Sequence, residues 1–227
     1  MATEVCDSSQ LANVAAQRIA TALVAAIARE GEASLALAGG STPRGAYEEL
    51  AKISGIDWTR VSVYFGDERA VPSTHPDSNF RMAEAALFSR VLLPANNIHR
   101  VPAELDDREA IARAYEALLP ERISVMVLGV GEDGHTASLF PGSPALAERV
   151  RRFLPVIGPK PPPERFSITP PVIAAARQII VLATGSGKAD AVARALSGPL
   201  DIEHTPSALA RGGLWLLDAA AAAKLSG

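Results

Sequence analysis

The sequence holds one cysteine, Cys6, in 227 residues. No internal disulfide can form, which suits a reducing compartment. Charge of either sign is not in excess: 22 Lys and Arg stand against 25 Asp and Glu, a formal net charge of -3. That balance leaves no basic footprint for nucleic acid, although a few local cations can still hold a small anion. No apolar run is expected to reach bilayer-spanning length. The N-terminus lacks the basic start and apolar block of a secretory signal. The expectation is therefore a cytoplasmic chain that binds neither nucleic acid nor membrane, with Cys6 incidental near a mobile end. What is present is ordinary for a globular protein: 48% hydrophobic and 21% charged residues. The length suits one α/β domain over 1–227, large enough to bury a core without staples.

Helical and strand-like stretches alternate. Leu11, Val14, Ala15, Ile19, Leu23 and Ile27 recur at helical spacing. The apolar run 33–38 reads as a strand closed by Gly39 and Gly40. A helix is expected from Ser41, because Ser41 and Thr42 are good caps and Pro43 suits a first turn. Further strands are expected over 61–65, 124–128, 179–183 and 214–217, and helices over 79–88, 111–119 and 189–196, with an alanine-rich helix at the end. This alternation predicts an α/β fold with a mainly parallel, Rossmann-like sheet and helices on both faces. The proline-rich segment 158–171 reads as a structured surface loop.

The glycine-rich and polar clusters each follow a strand: Gly39 to Arg44, Gly66 to Arg69, Gly129 to His135, and Gly185 to Lys188. Ligands of open α/β sheets bind outside the carboxyl ends of the strands, so four distant loops are expected at one rim. Gly39-Gly40-Ser41-Thr42-Pro43-Arg44 reads equally as an anion site at a helix N-terminus or as a well-capped helix start. Gly185-Ser186-Gly187-Lys188 is a second candidate cradle, with Lys188 as a point charge. It is not a Walker loop, because Ala189 and Leu182 stand where Ser/Thr and Gly are required. On that segment alone, a helix start with a solvated lysine is the simpler account. Gly129-Val130-Gly131-Glu132-Asp133-Gly134 matches G-x-G-x-x-G in form. Arg151 and Arg152 lie where a dinucleotide site carries its acidic partner, so NAD or NADP is disfavoured.

His135 follows that loop, two positions after Asp133 and at an expected helix start. An imidazole can accept and return a proton near neutral pH, and a neighbouring carboxylate can fix its tautomer. Asp67-Glu68-Arg69 forms either a solvated corner or a site wall. No His/Cys/Asp/Glu spacing matches a metal site, and no G-x-S-x-G elbow exists, so neither metal-assisted nor serine-nucleophile hydrolysis is supported. No cofactor is expected.

Six stretches resemble the 6-phosphogluconolactonase family: LALAGGSTPRG (35–45), FGDERAVP (65–72), DSNFR (77–81), LGVGEDGHTASLFPG (128–142), KPPPERFSITPP (160–171) and GSGKA (185–189). GEDGHTASLFPG is the most specific and GSGKA the least. The resemblance implies the isomerase/deaminase-like fold shared with glucosamine-6-phosphate isomerases. Those deaminases look like DGH followed by an AFNEP-type stretch, whose glutamate assists ring opening. Here Phe140 holds that place, and Arg69 stands where they usually carry an aromatic residue. Both departures favour the lactonase.

The resemblance implies hydrolysis of a phosphorylated sugar lactone, 6-phospho-D-glucono-1,5-lactone, in the pentose phosphate pathway. His135 is the expected base and then acid, oriented by Asp133, with Asp67 holding sugar hydroxyls or the imidazole. Amides near Gly40, or of a helix after His135, are candidate oxyanion donors. The phosphate is expected on Ser41 and Thr42 with Arg69 and Lys188, and Arg165 as a further clamp. A monomer or weak homo-oligomer is expected.

Overall fold

The computed structural model describes residues 2–225. The strands are β1 (Ala2–Cys6), β2 (Ala33–Leu37), β3 (Val61–Phe65), β4 (Asp67–Arg69), β5 (Val125–Gly129), β6 (Phe153–Ile157), β7 (Glu164–Ile168), β8 (Gln178–Ala183) and β9 (Leu214–Asp218). The helices are α1 (Leu11–Glu30), α2 (Ser41–Leu50), α3 (Asn79–Ala86), α4 (Arg108–Leu118), α5 (Pro170–Ala175), α6 (Ala189–Ser197) and α7 (Ala219–Ala222).

Six strands form one sheet in the order β1-β9-β8-β5-β2-β3, and every pairing in it is parallel. The central strands are short apolar runs because both of their faces are covered. Leu35, Leu37, Val125, Val127, Ile180 and Leu182 pack on one side with α1, α2 and α3. Ala36, Met126, Leu128, Val181, Ala183 and Trp215 pack on the other with α4, α5, α6 and α7. The period of two along each strand thus feeds two separate cores. The expected α/β class holds.

After β2 the chain adds β3 on one side and later β5 on the other. The crevice between β2 and β5 is therefore the topological switch point. These two strands share only the register pairs Leu35↔Val125 and Ala36↔Met126, so they part before their carboxyl ends. Two fully buried tyrosines fix the adjoining strand ends. The Tyr47 hydroxyl accepts from Ala38 N at 2.9 Å, and that of Tyr115 accepts from Phe65 N at 2.7 Å.

A second, antiparallel sheet, β4-β7-β6, stands beside this rim. Gly66 joins the sheets: its N–H donates to Leu37 O at 2.9 Å, and its carbonyl accepts from Ile168 N at 2.8 Å.

Four expectations change. Segment 158–171 is not a loop throughout, because it contains β7 with Arg165 and Phe166 buried. Its backbone demand is met by pairing with β6 and β4, which local sequence cannot show. Cys6 ends a real strand, paired in parallel with β9 through Cys6↔Asp218. No helix begins after His135; a tight turn closes there, with Leu139 N donating to Thr136 O at 2.9 Å. Finally, α1 is long and apolar enough to cross a membrane by length and composition. Its apolar residues are used elsewhere: Leu11, Ala15, Ile19, Leu23 and Ala26 are buried, most of them in the core beneath the sheet.

Candidate active site

Above the switch point lies an open cleft of about 180 Å³, lined among others by Gly40, Asp67, Arg69, His135, Arg165 and Lys188. Residues on β4, β5 and β7 and in the loops after β2, β5 and β8, far apart in sequence, thus meet at one rim. Of the remaining sequence candidates, Asp133 stands behind His135, while Ser41 and Thr42 lie one step back from the lining. The Thr42 hydroxyl is hydrogen bonded to that of Thr184 at 2.8 Å, tying α2 to the end of β8.

The loop after β5 is shaped around its imidazole. His135 Nδ1–H donates to Asp133 Oδ1 at 2.6 Å, and the His135 backbone N–H donates to the same oxygen at 3.1 Å. Burial pushes the Asp133 carboxyl up. The hydrogen bonds from His135 and the charges of His135 and Lys160 outweigh it and hold the group at about 2. Asp133 is therefore ionised at neutral pH and selects the tautomer with Nε2 unprotonated. Gly131 makes room for this pair: a methyl group there would sit 2.0 Å from His135 Nδ1. The His135 side chain stays 25% exposed, enough to meet a water molecule. Beside it Ala137 has φ 48°, the one non-glycine residue with positive φ among the described residues. Strain of that kind, about 1–3 kcal/mol, clusters at functional sites.

Asp67 makes no hydrogen bond to the imidazole among the described residues. Its Oδ1 accepts from Asn79 Nδ2 at 3.1 Å and its Oδ2 from Ser138 Oγ at 2.6 Å. Glu68 has a different task. Its buried carboxylate accepts from the N–H groups of Asn79 and Phe80, both at 2.8 Å, and so caps α3. Burial raises its pKa, and the amide hydrogen bonds offset only part of that rise. Asn79, delivered by that helix, lies over Gly39, where a methyl group would come within 2.0 Å of Asn79 Oδ1. Gly40, at φ 105°, then turns the chain into α2 in a conformation that favours glycine.

Two arginines of the cleft stand on the antiparallel sheet. Arg69 and Arg165 are cross-strand partners on β4 and β7. Like charges in that relation repel. Arg165 is buried; desolvation first and then the charge of Arg69 depress its pKa. Its Nε donates to Pro162 O at 3.0 Å, and its guanidinium lies 5.5 Å from the centre of the Phe140 ring. Arg69 Nη1 donates to Asp77 O at 2.7 Å, while its buried Nε has no partner among the described residues. Neither arginine, nor Lys188, forms a salt bridge to a carboxylate among the described residues.

Sequence reasoning missed Asn79 and Ser138 as partners of Asp67, and Lys160 as a charge near Asp133. Only the family-like runs that contain them pointed to the region. Their contacts span loops that no spacing rule connects. No group of three or more His, Cys, Asp or Glu side chains is placed to hold a metal ion among the described residues.

Comparison with known proteins identifies the family. A family model described as glucosamine-6-phosphate isomerases/6-phosphogluconolactonase matches residues 6–216. The 6-phosphogluconolactonase of Streptomyces coelicolor is 42% identical, covering 96% of this chain and 92% of that relative. The Nostoc enzyme of the same name is 41% identical, covering 92% and 91%. The solved 6-phosphogluconolactonase of Trypanosoma brucei superposes with a TM-score of 0.86 at 28% identity, covering 99% and 98%. A monomeric glucosamine-6-phosphate deaminase superposes equally well at 23% identity, which speaks for the fold alone. The family model covers most of the chain and the Streptomyces and Nostoc relatives exceed 40% identity over nearly its full length, and the chain belongs to the glucosamine-6-phosphate isomerase/6-phosphogluconolactonase family.

Proposed function

We propose that the cleft hydrolyses 6-phospho-D-glucono-1,5-lactone to 6-phospho-D-gluconate, with His135 as general base. The observation that supports this reading best is that one cleft holds both an Asp133–His135 dyad and the cross-strand Arg69–Arg165 pair, neither arginine having a carboxylate partner among the described residues. The relatives named 6-phosphogluconolactonase supply the reaction class.

In this reading the phosphate binds Arg69, Arg165 and Lys188, with the first amides of α2 at Ser41 and Thr42 in support. That anchor holds the lactone carbonyl near Nε2 of His135. Nε2 takes a proton from water as the water oxygen bonds to the carbonyl carbon. The tetrahedral oxyanion faces the loop amides around Gly40. Collapse breaks the bond to the ring oxygen, which receives the proton back from the imidazolium. Asp133 keeps the ring oriented and offsets its transient charge. Asp67, already held by Asn79 and Ser138, presents its carboxylate to sugar hydroxyls rather than to the imidazole.

The test is hydrolysis of freshly prepared 6-phosphoglucono-δ-lactone, corrected for its spontaneous rate, with no metal or nucleotide added. His135→Ala is expected to lower kcat on the order of 10²–10⁴-fold with little change in KM. Lys188→Ala is expected mainly to raise KM. Near-normal turnover by His135→Ala removes the imidazole from the mechanism.

A further inference from the structure

Phe140 lies against both His135 and Arg165. Its ring centre lies 4.7 Å from that of His135, with the planes 43° apart. The Arg165 guanidinium carbon sits 5.5 Å from the same ring centre. The ring is itself buried, 5% exposed, and its tip is pressed against the backbone at Gly158. A methyl group on Gly158 would lie 2.8 Å from Cε2 and 2.9 Å from Cζ of Phe140, and 3.2 Å from Arg165 Nε. One aromatic side chain therefore separates the proton carrier from the phosphate clamp, and a glycine on the β6–β7 hairpin lets it do so.

We propose that Phe140 is a positioning residue that sets the distance between the His135 imidazole and the Arg165 guanidinium, with Gly158 as the stop behind it. The proposal rests on the reading of His135 as base and Arg165 as phosphate clamp. Physically, His135 is fixed at Nδ1 by Asp133, but that bond leaves the ring free to rock about its axis. Contact with Phe140 removes that freedom. Arg165 has its Nε tied to Pro162 O, and the ring face gives its plane a favourable rest. A misplacement of about 1 Å between anchored phosphate and base can cost on the order of 100-fold in rate. Partial loss of the spacer should therefore appear in both kinetic constants.

Phe140→Leu and Gly158→Ala attack the contact from opposite sides. In the full chain, each is expected to lower kcat about tenfold and raise KM for the phosphorylated lactone about tenfold, with the fold retained by circular dichroism. Combined with Arg165→Ala, Phe140→Leu should raise KM no further while still lowering kcat, because its effect on phosphate runs through Arg165. A purely structural role predicts a lowered Tm with both constants unchanged in the folded fraction. If Phe140→Leu does not fold, Gly158→Ala decides alone. Constants within twofold of the unmodified chain for the folded variants, while His135→Ala and Arg165→Ala remain impaired, overturn the proposal and leave the function intact. Unimpaired His135→Ala would instead remove the base reading on which it rests.

Discussion

The two ends of the parallel sheet are built from the same strands and carry opposite chemistry. At the amino ends of β2, β3 and β5 lies a recess of about 370 Å³, larger than the cleft at the carboxyl ends, lined by Ser34, Ser62, Tyr64, Ser124, Arg177 and neighbouring glutamates. Several of its polar groups are spent on one another. Ser34 and Ser124 exchange backbone-to-hydroxyl hydrogen bonds at 2.8 and 3.1 Å, and Arg177 pairs with Glu30 at 3.2 Å. The recess at the carboxyl end is smaller, and there two arginines oppose each other, a buried arginine Nε has no partner among the described residues, and Ala137 is strained. Size is thus a poor guide to the site. Unspent charge and stored strain are the better guide, because a fold retains them only where something compensates.

The sharpest way to break this contrast is at Asp133. Asp133→Asn keeps the shape but lets the imidazole adopt the other tautomer, so kcat is expected to fall on the order of 10²–10⁴-fold with KM little changed. The same variant has a second readout with a defined sign. The folded-state pKa of Asp133 is depressed from 3.8 to about 2. Its stabilisation is complete above the unfolded value and is lost as pH falls from about 4 through about 2. Asp133→Asn should therefore flatten acid-induced loss of stability in that window. Activity equal to the unmodified chain would make the carboxylate a mere loop brace.

A smaller effect is expected at the arginine pair. Arg69→Leu removes one charge-assisted contact, worth about 1.5–3 kcal/mol, so KM should rise roughly 10- to 100-fold with kcat less affected. It also relieves the repulsion with Arg165, offset by loss of the bond to Asp77 O, so the ligand-free Tm should stay nearly constant. Inorganic phosphate is expected to raise the Tm of the unmodified chain, and that rise should shrink sharply in the variant. An unchanged KM would mean that the paired arginines serve the fold.

How much of this was legible depends on how local each determinant is. The buried strands are apolar runs, and the Asp133–His135 bond spans two residues, so sequence alone exposes both. The three-stranded sheet is different. Strand β4 is Asp67-Glu68-Arg69, with no apolar alternation, and the short Arg165-Phe166-Ser167-Ile168 alternation of β7 is masked by Pro161-Pro162-Pro163 just before it. They exist because β6, β7 and Ile168 to Gly66 supply pairing partners at long range. The role of Asp67 was left open for the same reason: Ser138 and Asn79, which occupy its oxygens, lie 71 and 12 residues away. Ser41 and Thr42 look like direct ligands in sequence. The hydroxyl of Thr42 is instead engaged by Thr184, and a threonine after β8 carries no signal of such a pairing.

The amino end gives the smallest expected effect and the cleanest control. Ser34→Ala removes the oxygen that accepts from Ser124 N at 2.8 Å and bonds its hydroxyl at 3.2 Å. A buried amide left without a partner costs about 1–3 kcal/mol. Here the open recess admits water to that amide, so the cost should fall at the low end, near 1 kcal/mol, lowering Tm by about 2–4 °C in a chain of this size. Turnover and KM should not move, because the change lies across the full length of β2 from Gly40. If kcat changed in step with Tm, the recess would be coupled to the reaction and the division between the two ends would fail. If only Tm moved, the same sheet would be shown to use its amino end for closure and its carboxyl end for chemistry.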